Sequence, residues 1–152
     1  MQKMERRKAL GLGMVLSLAV AGTAIADSEG VIKYRQGVMK SLAGHMGAMA
    51  MIVRGKVDYG ANLGEHARGL HALTRMVPAL FPEGSDFGET GALPEIWKKP
   101  DDFRSKAEAA EQAAARLAEV AASGDRSAVG AAFKEVGKSC KGCHESYREK
   151  ND

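Results

Sequence analysis

The chain has 152 residues, with 22 Lys and Arg against 19 Asp and Glu, for a net charge of +3. That length suits one domain able to bury roughly two-thirds of its unfolded surface. A hydrophobic share of 45% excludes a disordered chain, and 5% aromatics with few β-branched residues argue against a β-sandwich.

The first segment reads as a secretory signal rather than as part of the fold. Lys3, Arg6, Arg7 and Lys8 against Glu5 make a basic start, and an apolar run follows from Ala9 to about Val20. Ala24-Ile25-Ala26 then offers a small-residue cleavage site before Asp27. The run is too short to cross ~30 Å of hydrocarbon comfortably. Arg6-Arg7 matches a twin-arginine signal poorly, so ordinary export to a bacterial periplasm is the expectation. The remaining 126 residues carry 18 basic and 18 acidic side chains. The basic excess therefore belongs to targeting, and nucleic-acid binding loses its support. No other apolar stretch approaches spanning length, so no membrane association is expected after cleavage.

Helical periodicity recurs four times in the mature chain. The first stretch, about 29–54, carries Val31, Val38, Leu42, Met46 (or His45), Met49 and Val53 on one stripe. The second, about 62–77, carries Leu63, Ala67 (or His66), Leu70, Leu73 and Val77, and Pro78 and Pro82 stop it. A Gly-, Pro- and acid-rich crossover spans 78–100 and holds Phe81, Phe87 and Trp97. The third helix, about 101–122, begins after Pro100 with Asp101-Asp102 and aligns Phe103, Ala107, Ala110, Ala114, Leu117 and Ala121. Ser123-Gly124 ends it and Asp125 caps the fourth, about 126–149. The fourth stripe is Val129, Phe133 (or Ala132), Val136, Cys140, Cys143 and Tyr147. Four helices with one long connection predict an all-α, antiparallel four-helix bundle.

The only two cysteines lie in Cys140-Lys141-Gly142-Cys143-His144. A redox disulfide of that spacing belongs at the first turn of a helix after a strand, whereas this motif lies deep in the last helix. A structural zinc site would need a fourth ligand, and His45, His66 and His71 are scattered over other helices. His66 and His71 are five apart and do not share a helical face. Covalent c-type haem attachment needs these residues in this order. Two thiols add across the porphyrin vinyl groups, and the adjacent imidazole reaches the iron. At i, i+3 and i+4, Cys140, Cys143 and His144 share one face, continuous with Phe133 and Val136. One haem c per chain is expected, bound through Cys140 and Cys143 with His144 on the iron.

A c-type motif in the last helix of a four-helix bundle resembles the cytochrome c-prime family, the class II cytochromes. Lys33-Tyr34-Arg35-Gln36, Pro94-Glu95-Ile96-Trp97, and the run from Val136 to His144 with Tyr147-Arg148 carry the resemblance over nearly the whole mature chain. It implies a left-handed bundle, usually a periplasmic homodimer, with helices one and two at the interface. It places Arg35 and Gln36 near the haem propionates, where a solvated helix face is the plainer reading of Arg35. It also places Glu89 and Thr90 in contact with haem. Arg148, four residues after His144, falls near the proximal pocket or serves as a cation at a helix carboxyl end.

Met39 faces the distal side in this resemblance. It either covers a five-coordinate, high-spin iron without bonding it or, as in low-spin class II relatives, binds through sulfur. The first state implies a protein that binds small uncharged diatomics such as nitric oxide or carbon monoxide. The second implies a one-electron carrier with redox partner proteins. Tyr34-Arg35-Gln36 resembles the high-spin branch. A haem-free helical protein with a disulfide or metal is the remaining class, and nothing suggests an enzyme with an organic substrate.

Overall fold

The computed structural model describes residues 28–150, so the expected signal and its cleavage site lie outside the described residues. Helices α1 (Ser28–Val53), α2 (Leu63–Thr74), α4 (Pro100–Ser123) and α5 (Arg126–Tyr147) form an antiparallel four-helix bundle, and a single helical turn, α3 (Glu95–Lys98), lies in the crossover. Among the described residues no strand forms, and no helix is long and apolar enough to cross a membrane.

Each helix follows the expected period with local changes. In α1 the buried stripe is Ile32, Arg35, Val38, Met49 and Ile52, so Ile32 and Ile52 are buried where Val31 and Val53 were expected. Helix α2 ends at Thr74, earlier than the periodicity predicts. The Thr74 hydroxyl donates to the Leu70 and His71 carbonyls, and a 3-10 turn at Val77–Leu80 then buries Val77 and Leu80. Proline at that turn's start removes the N–H that would continue an α-helix. In α4 the alternating stripe Phe103, Ala107, Ala110, Ala114 and Leu117 is buried as predicted. Its small alanines let α2 and α5 approach closely on either side.

The α4–α5 corner is set by two residues. Gly124 takes φ 79°, the left-handed conformation that ends helices and that glycine adopts freely. The Asp125 carboxylate then accepts from the Ser127 and Ala128 amides at 2.9 and 3.0 Å, capping α5.

The core has two lobes. The larger joins Met49, Ile52, Leu63, Ala67, Leu70, Ala114, Leu117, Val129 and Val136. The smaller, at the crossover end, joins Val77, Ile96, Phe103, Ala107 and Tyr147. Leu42 of α1 packs against both. Phe81, Phe103 and Tyr147 stand edge to face in series, with centroids 4.8 and 5.4 Å apart, and Trp97 packs on Phe81. Packing runs α1–α2–α4–α5, while α1 and α5 touch only sparsely. Side chains still join these two helices, since a Cβ at Gly130 or Gly137 would lie 3.8 Å from Val53 Cγ1 or 4.0 Å from Met46 Cε.

The α5 cap gives a direct test. Asp125→Ala should cost about 1 kcal/mol in urea unfolding, because two amides lose their acceptor. An unchanged midpoint would contradict the cap.

Candidate functional site

Helix α5 carries Cys140, Cys143 and His144, all half-buried. Both cysteines are free thiols. Cys140 packs against the larger lobe and Cys143 against the smaller, so the motif sits at their boundary. Burial pushes the Cys140 thiol pKa up. Burial also raises that of Cys143, as do Cys140 and Asp102, against an opposing pull from Lys106. Both shifts disfavour the activated thiolate that a redox pair uses. Burial lowers the His144 pKa, and the Arg148 charge lowers it further. The imidazole is held neutral, with a lone pair free for a metal.

Met39, on α1, is half-buried and packs with Leu42, Phe81 and Cys143 around the smaller lobe. The α1 wall here is apolar. The nearby Tyr147 hydroxyl instead donates to Asp102, and its pKa is pushed up to about 12, by burial first and then by Asp102.

Arg35 is 3% exposed, which rules out the solvated helix face. Its guanidinium donates to the Leu80 carbonyl at 3.2 Å and to the Ser85 hydroxyl at 3.0 Å. It also donates to the Ser85 carbonyl and the Thr90 hydroxyl, both at 2.9 Å. Phe81 lies 4.7 Å below it. All four acceptors are neutral, and burial depresses the guanidinium pKa. Next to it, the Gln36 amide donates to the Glu89 carbonyl at 2.7 Å, and Thr90 also accepts from the Ala92 amide. Arg35, Gln36, Glu89 and Thr90 thus come together as one joint between α1 and the crossover.

Arg148 needs correction. It does not continue the His144 face, because α5 ends at Tyr147 and Arg148 is extended, with φ −124° and ψ 138°. It pairs antiparallel with Ala92, while Leu93 donates to the Tyr147 carbonyl at 3.0 Å and Glu149 to the Gly91 carbonyl at 2.9 Å. The crossover pulls the chain out of the helix. Its amide still reaches the His144 carbonyl, and its charge still acts on the imidazole.

Sequence reasoning missed Ser85, a buried partner of Arg35, and the use of Asp102 as acceptor for Tyr147. Ser85 carries no periodic signal, because it lies in irregular chain. It also expected His45 and His66 to be scattered, whereas their rings meet between α1 and α2.

The residues present fit a haem. Two thiols and an imidazole share one face of α5 at the boundary of the two core lobes. A buried arginine on α1 has hydrogen bonds but no carboxylate among its acceptors, and a propionate would supply the missing anion.

The cytochrome c' family model matches residues 30–148. The chain belongs to the cytochrome c' family. It is 37% identical to cytochrome c' of Pararhodospirillum photometricum, over 82% of this chain and all of that one. It is equally identical to cytochrome c-554 of Cereibacter sphaeroides, over 92% of this chain and 96% of that one. Among solved structures, cytochrome c prime from Shewanella frigidimarina superposes with a TM-score of 0.78 at 36% identity, covering 82% and 98% of the two chains. A nitric oxide complex of a variant cytochrome c prime from Alcaligenes xylosoxidans gives 0.76 at 36% identity with the same coverage. Family membership makes this a c-type haem protein, and Cys140, Cys143 and His144 carry the motif.

The Arg35 joint is testable by stability. Arg35→Ala removes three buried hydrogen bonds and one half-buried one and should cost about 3 kcal/mol in denaturant unfolding. An unchanged stability would show that the joint contributes nothing.

Proposed function

We propose that this protein is an exported haem c protein whose iron is held by His144 and left open to small diatomic gases on the Met39 side. Cys140 and Cys143 would hold the group through two thioether bonds. When bound, a haem c supplies a redox-active iron with an axial position for a ligand.

The observation that carries the reading is the Arg35 guanidinium. It is buried among neutral hydrogen-bond acceptors only, one helical turn before Met39, so a carboxylate would complement its charge. A haem propionate meets that need, with Gln36, Glu89 and Thr90 forming the same edge. The same hydrogen bonds turn the guanidinium toward the crossover. One turn on, Met39 and Leu42 present apolar side chains against the smaller lobe. Such a surface favours nitric oxide or carbon monoxide over anions, which need hydrogen bonds or charge. Arg148 lies on the proximal side, where its charge acts on His144.

The basic start, apolar run and Ala24-Ile25-Ala26 support periplasmic export with cleavage after about Ala26. The exposed Tyr34 and Met51 of α1 supply apolar surface for a homodimer. One-electron exchange with redox partner proteins accompanies gas binding in this reading.

The absorption spectrum of the reduced protein tests the open position. It should be high-spin and change on adding carbon monoxide, and Met39→Leu should keep that response. A sharp low-spin α band, insensitive to carbon monoxide and lost in Met39→Leu, would overturn the reading and make Met39 the sixth ligand of an electron carrier.

A further inference from the structure

His45 of α1 and His66 of α2 take no part in the site above. Their Nδ1 atoms are 3.1 Å apart, and the half-buried rings meet edge to face, with centroids 5.4 Å apart. The α2 backbone is shaped for this contact. A Cβ at Gly69 would lie 2.6 Å from His45 Cε1 and 2.7 Å from its Nε2, so any side chain there would displace the ring. Glycine is unfavourable inside a helix, and here its missing side chain makes room for the imidazole.

We propose that His45 and His66 form a two-imidazole clamp for a divalent transition-metal ion, with Zn2+ as the simplest example. Two nitrogens bound to zinc at ~2.0–2.1 Å on tetrahedral corners lie about 3.3 Å apart, close to the separation already present. In the metal-free pair one Nδ1 carries the shared hydrogen and the other accepts it. Moving that hydrogen to Nε2 of the donor ring frees both Nδ1 lone pairs and leaves each ring neutral. A rotation of the two rings then turns both lone pairs toward one ion. Among the described residues no group of three or more His, Cys, Asp or Glu side chains gathers around a metal site, so water completes the coordination. The clamp is therefore an exchangeable site rather than a structural one. Imidazole pairs select zinc, nickel or copper over magnesium or calcium. Occupancy would tie α1 to α2, and α1 is the helix that carries Met39.

The test uses the haem-loaded protein and Zn2+ alone, in which His144 is already engaged. Calorimetry should give one Zn2+ per chain, with a raised thermal midpoint. His45→Ala and His66→Ala should each weaken binding by more than the roughly tenfold that losing an outer-sphere partner costs. His71→Ala should leave binding unchanged, and Gly69→Ala should weaken it by moving the His45 ring. Should a variant fold poorly, NMR of the unaltered protein serves instead, with Zn2+ shifting the ring signals of His45 and His66. Failure of the wild type to bind Zn2+, undiminished binding in His45→Ala, or shifts confined to His71 would each overturn the proposal.

Discussion

A single buried guanidinium holds the functional end of this molecule together. Arg35 reaches from α1 to Leu80, Ser85 and Thr90, fixing one side of the crossover. The other side of that segment is stitched to the end of α5 through Ala92, Leu93 and Gly91. The crossover is thus a strap between α1 and α5, the two helices that barely touch. Burying an arginine is unfavourable unless its hydrogen bonds and its charge are both met. The loop oxygens meet the first need, and the Phe81 and Trp97 rings face the charge at 4.7 and 5.9 Å.

The division of the core into two lobes follows from the same arrangement. Cys140 belongs to one lobe and Cys143 to the other, with Leu42 of α1 bridging them. A flat macrocycle tied to both thiols would complete the apolar interior at that boundary. This explains how a chain with 5% aromatics builds its core, since a prosthetic group replaces bulky side chains. The His144 imidazole lies within reach of the Arg148 charge, whereas Met39 and Leu42 pack against the smaller apolar lobe.

The parts legible in sequence were those governed by local rules. The alanine stripe of α4, the Gly124-Asp125 corner and the shared face of Cys140, Cys143 and His144 follow from helical geometry and capping alone. Less legible were features set by contacts distant in sequence. The depth of Arg35 depends on Ser85 and Thr90, 50 and 55 residues away in irregular chain. Arg148 counted as helical until pairing with Ala92 drew it into an extended conformation. At the two ends of the α1 stripe, Ile32 and Ile52 are buried in place of the equally apolar neighbours Val31 and Val53. His45 and His66 meet only because α1 and α2 are antiparallel neighbours, a relation the spacing of each helix does not encode.

The central claim is that the α1–α5 flank receives one haem held covalently by Cys140 and Cys143. The intact mass of the purified chain after denaturation measures this most directly. The account predicts a single species heavier than the polypeptide by one haem, with neither thiol open to alkylation. A chain of unmodified mass with two alkylatable thiols, from cells competent in c-type haem attachment, would contradict it.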